Sequence, residues 1–225
     1  GTSHGFSDPD AVARYAEGPR RQVPGYDSLL AMTDILLAEH VPDDGRILII
    51  GAGGGLEMTH FARNHPGWGY LGVDPSAEML ALAVRTMQEM SARAELVRGY
   101  VHDAPPGPFD GATCILTLHF VPLAERLATL RAIRARLKPK APFLAAHYSV
   151  PGDPATRSQW FARVAAFAER NGIPADKARA NADRIAAMLP ILTPEEDEAL
   201  LTRAGFTGVS QFYAALTFRG WVCTA

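Results

Sequence analysis

The chain has 225 residues, 48% of them hydrophobic and 20% charged, which is ordinary globular usage and excludes disordered and fibrous classes. Its 22 Lys plus Arg against 24 Asp plus Glu give a formal net charge of -2, so overall charge does not mark a nucleic-acid binder. No apolar run reaches the roughly 18 residues of a membrane span, and no signal segment opens the chain.

The elements are expected in this order. A first helix starts at Asp8-Pro9-Asp10 and stops at Gly18-Pro19, and a second follows Pro24-Gly25 with Leu29, Met32, Thr33, Leu36 and Leu37 on one face. Ile47-Leu48-Ile49-Ile50 is a strand buried on both faces. Tyr70–Val73, Glu95–Arg98, Ala112–Leu118 and Pro142–Tyr148 are further strands, with helices over 76–90 and from Leu123 to Leu137. Such alternation implies a parallel sheet with helices on both faces. Residues 154–189 hold two helices and no strand. Thr193-Pro194-Glu195-Glu196 reads as a capping box opening a helix that runs to Arg203. Val209–Tyr213 and Leu216–Cys223, joined by Ala214-Ala215, form an antiparallel hairpin, because so short a connection forbids a parallel crossover. The expected fold is α/β, a Rossmann-like, seven-stranded, mostly parallel sheet whose last strand is antiparallel. It reads as one domain: N-terminal helices over 1–44, a core over 45–150, a helical insertion over 151–190, and a final helix and hairpin over 191–225. Cys114 and Cys223 sit in apolar segments and read as buried thiols of a cytoplasmic protein.

The strongest chemical signal is Ile50-Gly51-Ala52-Gly53-Gly54-Gly55-Leu56-Glu57, where a buried strand enters a glycine-rich turn and then a helix. Glycines allow the tight turn and let a ligand approach the backbone amides without a Cβ in the way. Asp74 closes the second strand, where a carboxylate can accept both hydroxyls of an adenosine ribose. A dinucleotide fingerprint wants glycine where Leu56 stands, and its fold continues in parallel units where this chain makes a hairpin. Both features favour S-adenosylmethionine over NAD.

These motifs resemble the class I S-adenosylmethionine-dependent methyltransferases from about residue 20 to the end. The resemblance implies a methyltransferase that converts S-adenosylmethionine to S-adenosylhomocysteine while methylating a small molecule. It assigns Gly51, Ala52, Gly53 and Gly55 to the methionine part, Asp74 to the ribose, and Pro75 and Met79 to the adenine. Val101 and His102 come from the segment Gly99–Asp103, and Leu116 from the segment Leu116–His119, both matched to family motifs. A narrower resemblance, in Arg21–Tyr26, Leu116–Phe120 and Ile191–Thr193, is to carboxy-S-adenosylmethionine synthases, which serve tRNA wobble-uridine modification. It implies that Tyr26 touches the cofactor, which could be carboxy-S-adenosylmethionine, and that Arg184 reaches a carboxylate across a homodimer. Ile49, Tyr100 and Ile115 depart from the polar residues these families carry, which keeps open a binding protein without turnover.

Methyl transfer from a sulfonium needs alignment and exclusion of water, and a general base only for a neutral acceptor. His119, His147 and Tyr148, at strand carboxyl ends, are the catalytic candidates, set against simple packing roles. Arg131, Arg134, Lys138 and Lys140 could meet tRNA phosphates, but cations at a helix C-terminus explain them as well. Trp160, Phe161, Val164 and Phe167 form an apolar stripe that needs a neighbour, either a dimer partner or the chain itself.

Overall fold

A computed structural model describes residues 9–225, so Asp8 of the expected first cap lies outside the described residues. The helices are α1 (Pro9–Gln22), α2 (Tyr26–Ala38), α3 (Leu56–Asn64) and α4 (Ala77–Met87), then α5 (Leu123–Ala135), α6 (Pro154–Arg170), α7 (Ala175–Met188) and α8 (Pro194–Arg203). The strands are β1 (Arg46–Ile50), β2 (Gly69–Asp74), β3 (Ala94–Arg98), β4 (Gly111–Ile115), β5 (Pro142–Tyr148), β6 (Thr207–Ala215) and β7 (Phe218–Thr224). They form one sheet in the order β3-β2-β1-β4-β5-β7-β6. β1 to β5 are mutually parallel, and β7 runs antiparallel to both β5 and β6. The reversed strand is therefore the last one, as the hairpin required.

Strand alternation sorts the core into layers. Ile47 and Ile49 of β1 face α2, α3 and α4, where Leu37, Met58, Phe61 and Ala83 are buried. Leu48 and Ile50 face the opposite layer, packed with Leu130 and Ile133 of α5 and Leu201 of α8. Each such aliphatic side chain contributes roughly 1.5–3 kcal/mol over exposure. A third cluster closes the carboxyl end of β4 and β5 and joins α2, α6, α7 and the hairpin. Phe161 and Val164 of the apolar stripe are buried in it, with Trp160 partly buried beside them. The insertion thus covers its own domain. Cys114 and Cys223 are both free and buried.

Several element boundaries differ from the sequence reading. α1 passes through Gly18-Pro19 to Gln22, because Pro19 removes only its own N–H while its carbonyl still accepts the Val23 amide at 2.7 Å. The helix after Ser76 ends at Met87 and continues as a 3-10 turn, Gln88–Arg93. β4 stops at Ile115, since Leu116 takes a left-handed φ of 57°. The hairpin turn is Leu216-Thr217, because Ala214 and Ala215 stay in the ladder opposite Arg219 and Phe218. Among the described residues no helix is long and apolar enough to cross a membrane.

A buried polar cluster ties β5 to α5 and α8. His147 Nε2 lies 3.0 Å from Asp197 Oδ1, with both side chains 2% exposed. Arg126, fully buried on α5, donates to the Val121 and Pro190 carbonyls and feels the Asp197 charge. Removing the carboxylate leaves the buried His147 ring without its partner and the buried Arg126 guanidinium without its counter-charge. Asp197→Ala is expected to lower unfolding free energy by ~3 kcal/mol or more, read as a lower denaturant midpoint, and an unchanged midpoint would show that the cluster contributes nothing.

Candidate cofactor-binding site

The site is organised by the turn from β1 into α3. Gly51, Gly53 and Gly55 have φ of 75°, 51° and 83°, where a side chain is disfavoured. Space excludes one as well: a Cβ on Gly51 would sit 2.0 Å from Thr117 Oγ1, and one on Gly54 would sit 2.2 Å from Tyr15 Cε1. The amides of Gly51 and Ala52 both donate to the Val73 carbonyl at 2.9 Å, which clamps the turn onto β2.

Asp74 then fastens the turn from its other side. One carboxylate oxygen accepts the Gly53 N–H at 2.9 Å, and the other accepts the Ser76 N–H at 2.9 Å. Ser76 in turn caps α4 by accepting the Met79 amide. Each oxygen keeps a free lone pair. The carboxylate is only half-buried and faces a cavity of about 1000 Å³. That is the upper end of small-molecule sites, roughly 300–1,000 Å³.

Tyr26, Gly51, Ala52, Gly53, Asp74, Pro75, Met79, Val101, His102 and Leu116, expected at the cofactor, all line this cavity. Gly55 does not. It seats α3 on α4, where its Cβ would come 3.0 Å from Ala83 Cα. Of the three departures, Ile49 packs in the α2–α3–α4 layer away from the cavity, whereas Tyr100 and Ile115 lie on its wall. Leu116 holds its left-handed conformation there, its amide bonded to the Ala146 carbonyl at 2.6 Å.

The catalytic candidates are placed elsewhere. His119, His147 and Tyr148 are not on the cavity wall, contrary to what their strand-end positions suggested. His119 is 3% exposed, and its Nδ1 accepts the Tyr148 amide at 3.1 Å. Burial, with His147 and Arg126 nearby, holds its pKa well below the usual histidine range, so the ring is neutral. His147 points to Asp197 and the α8 layer, while Tyr148 points the other way and packs on Phe161 and Phe218. Alternation along β5 separates the pair. Arg184 is exposed on α7, donates to Asn181 Oδ1, and does not reach this chain's cavity. Lys138 pairs with Asp110 at 2.7 Å, so part of the basic face is already neutralised. No group of three His, Cys, Asp or Glu suited to a metal occurs among the described residues.

Tyr15, Glu57 and Phe120 are wall residues to which the sequence reading gave no role. Tyr15 of α1 lies on the glycine turn, its hydroxyl accepting the Gly54 amide at 2.9 Å, and burial pushes its pKa up to about 12. Nothing in the first helix marks this contact. Glu57, the second residue of α3, is 7% exposed and lines the cavity. Burial first, then the Asp74 charge, raises its carboxyl well above the usual range. Its signal was an acid in an otherwise apolar motif. Phe120, 64% exposed, stands at the rim.

Comparison with known proteins agrees with this geometry. Residues 47–140 match the Methyltransferase domain family. A carboxy-S-adenosyl-L-methionine synthase of Chromohalobacter salexigens is 26% identical over 222 residues, covering 96% of this chain and 81% of the relative. Among solved structures, an O-methyltransferase family protein of Burkholderia thailandensis superposes with a TM-score of 0.67 at 14% identity, over 97% of this chain and 60% of that one. An N,N-8-amino-8-demethyl-D-riboflavin dimethyltransferase of Streptomyces davawensis gives 0.62 at 20% identity, over 98% and 60%. The chain thus spans about 60% of the length of these solved neighbours. The chain, with this strand order and reversed last strand, shares the fold of these neighbours, and the match to the Methyltransferase domain family falls on the segment that carries the glycine turn and Asp74.

Proposed function

We propose that this protein is an S-adenosylmethionine-dependent methyltransferase acting on a small-molecule acceptor. The observation that carries the reading is the Asp74 carboxylate, fixed by the Gly53 and Ser76 amides with lone pairs free toward a largely apolar cavity. A nucleoside fits that donor and acceptor set: ribose hydroxyls on Asp74, the adenine edge between Pro75, Met79 and Tyr100, and the tail along Gly51 to Gly53. S-adenosylmethionine, when bound, supplies an activated methyl group and leaves as S-adenosylhomocysteine. The chain's own contribution is to orient. Tyr15 and Tyr26 cover the turn, and Ile115, Leu116 and Phe120 exclude water from the adjoining volume where an acceptor would lie. The enclosed volume and the relatives' small-molecule chemistry support a small acceptor over tRNA.

A second reading is carboxy-S-adenosylmethionine synthesis, favoured by the synthase relative aligned along 96% of the chain. In that reading the protein works as a homodimer, with Arg184, which meets no carboxylate among the described residues, reaching the partner's cavity. A ligand-binding protein without turnover is supported by Tyr100 and Ile115 on the wall, but not by Ile49, which lies off it. Two buried free thiols suit a cytoplasmic location. Mass spectrometry of the nucleoside that co-purifies decides between the first two readings, because the carboxylated cofactor is heavier.

Two substitutions test the site. Asp74→Ala removes hydrogen bonds to a charged group, each about 1.5–3 kcal/mol, so the Kd for S-adenosylhomocysteine should rise about tenfold or more by calorimetry. Tight binding of NAD with none of S-adenosylmethionine would overturn the reading. Gly51→Ala forces a Cβ onto Thr117 at a positive φ. It should abolish nucleoside binding and lower the melting temperature, whereas near-parental affinity would mean that the turn is not the cradle.

A further inference from the structure

Glu57 has no evident reason to be buried. The second residue of α3 is 7% exposed and lines the cavity. Among the described residues its carboxylate has neither a hydrogen-bond donor nor a cation, although Asp34, Asp74 and Asp197 all have partners. The charged and titratable groups that sense it are acidic or neutral at ordinary pH: Asp74 from β2, Tyr15 from α1, Tyr26 from α2 and Cys114 from β4. A second carboxylate so near raises the cost of ionising it. The field of the helix N-terminus favours an acid there, but such an acid serves that end equally well from the solvent side. A buried carboxyl without a partner, opening onto a ligand cavity, is complementary to a cationic ligand group that would supply its counter-ion.

We propose that Glu57 is the counter-ion for the positively charged end of the nucleoside ligand, its carboxylate accepting a hydrogen bond from the ammonium of the amino-acid tail. The proposal rests on the nucleoside reading above and deepens it. Position supports the assignment. Glu57 lies on the helix launched by the turn of Gly51 to Gly55, along which the proposed tail runs, while Asp74 reaches the same turn from the end of β2 and presents its carboxylate beside Pro75 and Met79. Asp74 takes the ribose and Glu57 takes the charge. Two carboxylates thus share one ligand without competing for one group.

The test compares three probes on the full chain and its Glu57→Gln variant, which keeps the shape and removes the charge. S-adenosylmethionine carries ammonium and sulfonium, S-adenosylhomocysteine carries only ammonium, and 5′-methylthioadenosine carries neither. By calorimetry the variant should lose about tenfold or more in affinity for the first two, consistent with a hydrogen bond to a charged group, and bind the third within about twofold of the parent. Loss for S-adenosylmethionine alone would overturn the ammonium assignment in favour of the sulfonium. Equal loss for all three would assign Glu57 a purely structural role, and no loss for any would refute the contact. Failure of the parent chain to bind any of the three would instead strike the nucleoside reading itself. The ligand-free variant should melt no lower than the parent at neutral pH, because a carboxyl whose pKa is raised by folding costs stability at every pH above its unfolded value. A lower melt together with equal loss for all three probes would again identify a structural residue.

Discussion

The hydrogen bond from the Gly53 amide to the Asp74 carboxylate is the constraint from which the site follows. It joins the turn after β1 to the end of β2, and the second Asp74 oxygen joins that point to the start of α4. Two neighbouring strands and two helices therefore share one rigid corner. The turn can close only because three of its glycines take left-handed conformations and because Thr117, Tyr15 and Ala83 occupy the space that side chains would need. Glu57 owes its place on the wall to the same corner, being the second residue of the helix that the turn launches.

The sheet supplies what the corner needs on its other sides. Parallel β1, β2 and β4 bring their carboxyl ends together, so the segments leaving them enclose a common volume. β7 runs the other way and fills the place beside β5, which leaves the end of β5 to be closed by packing rather than by a further strand–helix crossover. The insertion does that. α6 and α7 bury Phe161, Val164 and Ala182 against α2 and the hairpin, so the stripe that could have met a partner is largely consumed within the chain.

The polar interior divides by layer. His147, Asp197 and Arg126 form one cluster behind the sheet, and His119 with the Tyr148 amide forms a link under the third core. Both hold elements together, and neither opens onto the cavity. Apart from His102, the cavity's own ionisable groups are carboxylates and phenols, a composition suited to holding a cation and hydroxyl groups. For methyl transfer from a sulfonium this is sufficient in principle, since the leaving group is already activated and the acceptor needs alignment above all.

Periodicity and punctuation determined much of this protein from its sequence. The apolar run Ile47–Ile50, the glycine turn and the acid at Asp74 are local features that the structure adopts as read, and the expected hairpin forms with its turn two residues later, at Leu216-Thr217. Ten of the residues expected at the cofactor line the cavity because their placement follows from strand ends, which alternation and turn residues reveal. Side-chain direction at the end of β5 was not legible. His147 and Tyr148 occupy neighbouring positions, yet one belongs to the α8 layer and the other to the α6 layer, a division set by which helices cover each face. The approach of Tyr15 to Gly54 was equally hidden, because it depends on where α1 lies across a turn distant in sequence. Whether Glu57 would face solvent or cavity was likewise decided only when α3, β2 and the first two helices closed around it, since burial is a property of that packing and not of the residue.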